Sequence, residues 1–255
     1  LHSDTHSFPT RRSSDLQRIE LLVRLYDQGM AYRFRFPETI EHAQEETSLF
    51  FPEDYTFWAY NGERHNTGPV KLSEYGGNIV RNPVVMETGS GKYLAIHEGA
   101  IVEHAPFVLS NQEKQNAFNL TQELLAGKSP FKSSWRAFWF GNRPGELIES
   151  DLLVNLNEPC KIEDPSWIKP GRAMWDWRVW GYTTPGGFEY GLNTVSHKRF
   201  IDFAAQNNIQ YLLIDADWYG PEFSEDSDPT RSRAGVDIEE CMAYAKEKGV
   251  GVFLY

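Results

Sequence analysis

The chain has 255 residues, 40% hydrophobic and 14% aromatic, which is enough for a sizeable core and too apolar for a disordered chain. Its formal charge of −11 argues against a nucleic-acid or anionic-membrane partner, whereas a neutral sugar is compatible with an acidic protein. No apolar run reaches the roughly 18 residues a membrane span needs, and Cys160 and Cys241 stand too far apart for a metal-binding spacing.

The N-terminal stretch, residues 1 to 16, includes His6-Ser-Phe-Pro-Thr-Arg-Arg-Ser-Ser-Asp-Leu16. It reads as a translated sequencing adapter; it has no apolar h-region, so it does not read as a signal peptide. From Arg18 to about Asn157 the pattern is β. Ile19 to Tyr26 and Met30 to Phe36 flank Asp27-Gln28-Gly29 as a hairpin. Within it Tyr32, Phe34 and Phe36 alternate with Ala31, Arg33 and Arg35, which predicts one apolar and one polar face. A second hairpin joins Val84–Thr88 to Lys92–Glu98 through Gly89-Ser90-Gly91. Trp135 to Phe140 and Leu147 to Leu156 read as further strands, and Asn111 to Leu125 as room for a short helix. An antiparallel sandwich is the simplest architecture for such a run. Glu45 and Glu46, next to Thr47, read as a solvated loop in preference to acids that face the second half of the chain, and His97 reads as a structural hydrogen-bonder.

The stretch from Asn157 to Gly171 is rich in proline and polar residues, a linker composition. Trp175, Asp176, Trp177 and Trp180 follow. A helix capped at Asn193 or Thr194 carries His197, Phe200, Ile201 and Ala204 at helical spacing and closes at Asn207-Asn208. The apolar strand Tyr211–Ile214 then delivers Asp215, Asp217 and Trp218. Residues i and i+2 on a strand share a face, so the two carboxylates are expected side by side, with an indole next to them. Carboxylates accept from sugar hydroxyls and an aromatic ring stacks on a pyranose, so this strand end is a candidate sugar site. Trp218 is the candidate platform; Asp215, Asp217, Trp175 and Asp176 are candidate rim contacts.

A polar loop with Glu222, Glu225, Asp226 and Asp228, read as a solvated segment, leads to a second helix capped at Asp237 and ended at Gly249. Val250 to Tyr255 is again β-prone. This helix–strand alternation is the signature of an α/β repeat with parallel strands, whose chemistry sits at the strands' C-terminal ends. The chain reaches Tyr255 on what reads as the second strand of that sheet, and a fragment of a longer protein is expected. Cys241 is expected as a buried free thiol.

A set of motifs in order carries a family resemblance. They are Tyr26-Asp-Gln-Gly-Met-Ala-Tyr-Arg-Phe34, Ile96-His-Glu-Gly-Ala-Ile101, Ser134-Trp-Arg136, Gly145-Glu-Leu-Ile-Glu-Ser150, Asn155-Leu-Asn-Glu-Pro159, Trp167-Ile-Lys-Pro-Gly171, Trp175-Asp-Trp177, Phe200-Ile-Asp-Phe-Ala-Ala205 and Ile214-Asp-Ala-Asp-Trp-Tyr219. In these the chain resembles glycoside hydrolase family 97, bacterial α-glucosidases and α-galactosidases. After the adapter-like residues 1–16, the resemblance implies a partial N-terminal β-sandwich over 17–160 and a linker with the start of a truncated (β/α)8 TIM barrel over 161–255. It implies calcium (Ca2+) in the active site, with Glu98 matched to a sandwich-derived ligand; Gly99 stands where the family usually has Ala. It also implies exo-acting hydrolysis of terminal α-glucosidic or α-galactosidic bonds in an oligosaccharide substrate, by paired carboxylates that lie beyond Tyr255. A periplasmic or secreted location is implied as well. The rival expectations are another barrel glycosidase of the α-galactosidase clan and a non-catalytic carbohydrate-binding protein.

Overall fold

The computed structural model describes residues 18–39, 42–62, 65–102, 104–125 and 130–255, so the adapter-like residues 1–16 lie outside the described set. The chain divides into two compact units, Leu1–Lys161 and Ile162–Tyr255, and the division falls inside the proline-rich linker stretch.

The first unit is built on two antiparallel sheets. The larger takes the order β1 (Glu20–Tyr26), β2 (Gly29–Phe36), β11 (Trp135–Gly141), β7 (Tyr93–Gly99), β6 (Arg81–Glu87), β4 (Thr56–Tyr60), β5 (Thr67–Lys71), with β10 (Phe131–Lys132) also paired to β2. The smaller is β3 (His42–Phe50), β9 (Ala117–Leu125), β8 (Val108–Ser110). Their inner faces share one core, in which Phe57, Met86, Leu94 and Ile96 of the large sheet meet Leu109, Phe118 and Leu120 of the small one. This is the expected sandwich. The β1–β2 hairpin pairs Tyr26 with Gly29 across Asp27 and Gln28.

Three local expectations are corrected. Asn111 to Leu125 holds no helix: Asn111 ties off a turn by accepting from Gln115 N–H and donating to its carbonyl, and β9 follows. The reason is alternation, with Phe118, Leu120 and Gln122 buried while Asn119 faces out. Leu147 to Leu156 is not a strand but two short helices, α1 (Pro144–Glu149) and α2 (Leu152–Leu156), with Pro144 at the first helical position. Leu147, Leu152 and Leu156 then cover the outer face of the large sheet against Ala31, Trp135 and Trp139. That cover explains the third correction. On the face of β2 expected to be polar, Ala31 and Arg33 are buried while Arg35 stays partly exposed, and Arg33 lies stacked on the Trp135 ring with its guanidinium 4.3 Å from the centroid.

The second unit is a parallel three-stranded sheet, β12 (Ala173–Trp175), β13 (Tyr211–Ile214), β14 (Gly251–Leu254), joined by α3 (Thr194–Gln206) and α4 (Ile238–Lys248). Asn193 caps α3 by accepting from Ser196 N–H, and Asp237 caps α4 by accepting from Glu240 N–H. Gly249 ends α4 at φ +72°, where a side chain would be strained. Phe200, Ile201 and Ala204 of α3 and Cys241 and Ala245 of α4 pack on Leu212 and Ile214. The strand Tyr211–Ile214 is thus the second and central strand, not the first. At three residues, β12 is too short to show a period, and its Trp175 reads with the aromatic cluster after it.

Candidate functional site

The three parallel strands end together, and the candidate residues gather at those ends. Trp175 closes β12, Asp215 follows the last residue of β13, and Tyr255 follows the last of β14. The Trp175 indole Nε1–H donates to Asp215 Oδ2 at 2.5 Å, and Ala216 N–H donates to Asp215 Oδ1 at 2.8 Å. The half-buried Asp215 carboxylate is therefore held in one orientation by two donors. Trp175 stacks on Trp177 with centroids 5.6 Å apart, and Arg178 lies over both rings at 4.3 and 4.8 Å. Trp177 and Arg178 are exposed. The Tyr255 phenol hydrogen-bonds Glu222, and this carboxylate above all, with Asp215 adding its charge, holds the phenol pKa above its ordinary value. Neither Glu222 nor Tyr255 stood out as a candidate. The signal was there in Tyr255, which follows β14 as Asp215 follows β13, since Ile214 pairs with Leu254.

Asp176 is not a rim residue. It is fully buried, with Oδ2 3.0 Å from His197 Nε2 and Oδ1 accepting from Asp215 N–H at 3.0 Å. His197, equally buried on α3, places Nδ1 3.8 Å from Cys241 Sγ. Burial raises the Cys241 thiol to about 11, so it stays a protonated, inert thiol.

Asp217 and Trp218 do not share the face of Asp215. Asp217 leaves the strand at φ +68°, and its Oδ1 accepts from Glu222 N–H at 2.6 Å, which ties the start of the loop. Trp218 is 8% exposed and belongs to the core of its unit, with Nε1–H donating to Tyr255 O at 2.9 Å. The period-2 expectation fails because β13 stops at Ile214, so strand geometry does not extend to residue 217. Trp218 also forms one wall of an open cavity of about 530 Å³ with Arg231, Ser232, Asp237 and Leu254.

In the first unit Glu98 is an interior acceptor. It is 6% exposed; Phe107 N–H donates to both oxygens at 3.2 and 3.1 Å, Gln122 Nε2 donates at 3.1 Å, and Ser134 Oγ–H makes a short bond. Burial, the dominant cause, lifts its pKa above the usual glutamate value in spite of these donors. A calcium ligand needs oxygens turned to the ion, with other oxygens converging on the same point. Three of the four donor contacts fall on Glu98 Oε1, with the charge of Arg136 close by, whereas Oε2 receives only the Phe107 N–H that it shares with Oε1 and keeps an acceptor site of the kind a calcium ion uses. Among the described residues no group of three His, Cys, Asp or Glu is arranged to hold a metal. Glu45, expected in a solvated loop, is buried in β3 and ion-paired with Arg136.

The comparisons with known proteins agree with this architecture. The family description Glycosyl-hydrolase 97 N-terminal matches residues 3–159, and Glycoside hydrolase 97 matches 174–255. A probable retaining alpha-galactosidase of Streptomyces bingchenggensis is 30% identical over 92% of the chain, and a retaining alpha-galactosidase of Bacteroides thetaiotaomicron is 27% identical over 91%. The chain spans 37% and 41% of the length of these two relatives. Among solved structures, a glycoside hydrolase family 97 enzyme from Pseudoalteromonas sp. strain K8, in complex with acarbose, superposes with a TM-score of 0.76. It shares 22% identity, over 98% of this chain and 44% of its own. A beta-arabinopyranosidase superposes with a TM-score of 0.67 at 20% identity, over 94% of this chain and 41% of its own. With both of its units matched, the chain belongs to glycoside hydrolase family 97.

Proposed function

We propose that the protein is an exo-acting α-glycosidase that hydrolyses terminal α-galactosidic bonds, with Asp215 accepting hydrogen bonds from hydroxyls of the sugar at the cleavage site. The observation that carries this is the Asp215 carboxylate, oriented by the Trp175 indole at the C-terminal end of a parallel sheet, in a chain matched to the family over both units. Oriented carboxylates at that end of an α/β sheet are where such enzymes place their chemistry. The galactoside preference rests on the names of the two relatives, both retaining α-galactosidases; α-glucosides are the competing substrates. A retaining reaction needs a carboxylate nucleophile and a carboxylic acid about 5 Å apart. Asp215 is assigned neither role, since the family resemblance puts both carboxylates beyond Tyr255; Trp175 and Ala216 each take one acceptor site on its oxygens, and the others are open to sugar hydroxyls.

A calcium requirement and export from the cytoplasm are proposals that rest on the family resemblance, which also matches Glu98 to a ligand of the ion. The test is the full-length enzyme on aryl α-galactoside and α-glucoside. Activity on the galactoside, with a raised KM in Asp215→Asn, is expected; inactivity on both substrates overturns the reading. Full activity after exhaustive chelation removes calcium from it.

A further inference from the structure

We propose that Asp176 is a positioning residue, which fixes the end of β13 so that Asp215 is presented to the sugar. The proposal rests on the reading of Asp215 as a substrate contact.

The ladder between β12 and β13 ends at the pair Trp175–Leu213. From Asp176 the chain turns into a 3₁₀ helix, Asp176–Val179, so β12 offers no further main-chain carbonyl to the Asp215 N–H. The Asp176 carboxylate takes that place, with Oδ1 3.0 Å from Asp215 N, and extends the ladder by one rung beyond the strand. Two consecutive residues therefore hold Asp215, one by its side chain and one by its main chain. The Trp175 N–H holds its carboxylate, and the Asp176 carboxylate holds its main-chain N–H. A backbone N–H without a partner at a buried strand end is costly, so this bond fixes where the strand stops.

Asp176 is itself anchored from behind. Its Oδ2 faces His197 Nε2 at 3.0 Å, and His197 Nδ1 faces Cys241 Sγ at 3.8 Å. One proton arrangement satisfies every group: the Cys241 S–H donates to Nδ1, Nε2–H donates to Asp176 Oδ2, and the Asp215 N–H donates to Oδ1. The line runs from α4 through α3 to the end of β13, and Asp176, His197 and Cys241 are all fully buried. A merely space-filling residue at 176 needs no carboxylate, whereas this arrangement uses both of its oxygens.

The experiment uses the full-length enzyme with an aryl α-glycoside it hydrolyses. Asp176→Ala is expected to raise KM by about tenfold, the scale of one charge-assisted hydrogen bond. Asp176→Asn retains an oxygen for the Asp215 N–H and is expected to recover most of that loss. In an Asp215→Ala background, Asp176→Ala is expected to add nothing to KM, because its effect passes through Asp215. A folded Asp176→Ala enzyme with unchanged KM overturns the proposal, as does an equal rise in both backgrounds, which is the mark of a purely structural role. An unchanged KM in Asp215→Ala alone overturns the substrate-contact reading, and this proposal with it. If Asp176→Ala fails to fold, His197→Gln serves in its place. It replaces the rigid ring that braces Asp176 against Cys241 with a flexible amide, so a severalfold rise in KM is expected that disappears when Asp215 is Ala; no rise, or a rise that persists, overturns the proposal.

Discussion

The Arg136 guanidinium of β11 and the Glu45 carboxylate of β3 form an ion pair between the two sheets of the first unit, with side chains 0% and 4% exposed. Arg136 also donates to Gln122 Oε1, Ser133 Oγ and the Ser134 carbonyl. Removing one partner strands the other charge where water cannot reach it. Glu45→Ala or Arg136→Ala is expected to cost about 3–5 kcal/mol. Replacing both with apolar residues, as in Glu45→Leu with Arg136→Met, is expected to cost clearly less than the sum of the single changes. Urea unfolding of the chain measures both, and additive losses would contradict the pairing.

Glu98 links stability to pH. Its folded pKa is raised above the reference value of 4.5, chiefly by burial, so the folded state holds its proton more tightly than the unfolded state. Its contribution to stability is fully present below the unfolded pKa and is lost as pH rises through the folded pKa. Glu98→Gln removes this titration and keeps an acceptor for Ser134. The expected result is a smaller fall in stability for the variant than for the parent as pH rises above 4.5, followed by denaturant midpoints across that range. Parallel curves would remove Glu98 from the account.

Trp218 is a core residue, so its truncation acts on folding rather than on binding. Trp218→Ala is expected to cost about 3–5 kcal/mol, the usual penalty for a buried aromatic. In whatever full-length enzyme stays folded, KM is expected to be unchanged. A selective rise in KM with intact thermal stability would restore Trp218 to the sugar platform first expected of it.

Trp175→Phe separates ring from N–H. It keeps an aromatic surface for Trp177 and Arg178 but deletes the donor that orients Asp215 Oδ2. A severalfold rise in KM is expected, with stability altered by less than about 1.5 kcal/mol, the net worth of an ordinary hydrogen bond. Unchanged KM would show that Asp215 keeps its orientation without the indole.

Much of the second unit was legible because its signals are local. Asn193 and Asp237 cap the helices they precede, Gly249 ends α4, and the four-residue apolar run Tyr211–Ile214 is a buried strand. Where two patterns competed, the reading failed. Leu147 to Leu156 is apolar enough for a strand, yet Pro144 and the spacing of Leu152 and Leu156 belong to helices. Asp217 was expected beside Asp215 because alternation was carried past Ile214, where the strand had already ended.

The family, the division near residue 161 and the presence of Asp215 at a strand end all follow from contiguous motifs, whose geometry is set by neighbours in the chain. Which carboxylate stands half-exposed at the strand ends and which lies in the core was decided only by folding. Asp176 and His197 lie 21 positions apart, and Arg136 and Glu45 lie 91 apart. Burial of a charge depends on a partner brought in by the tertiary fold, and no local period records that partner.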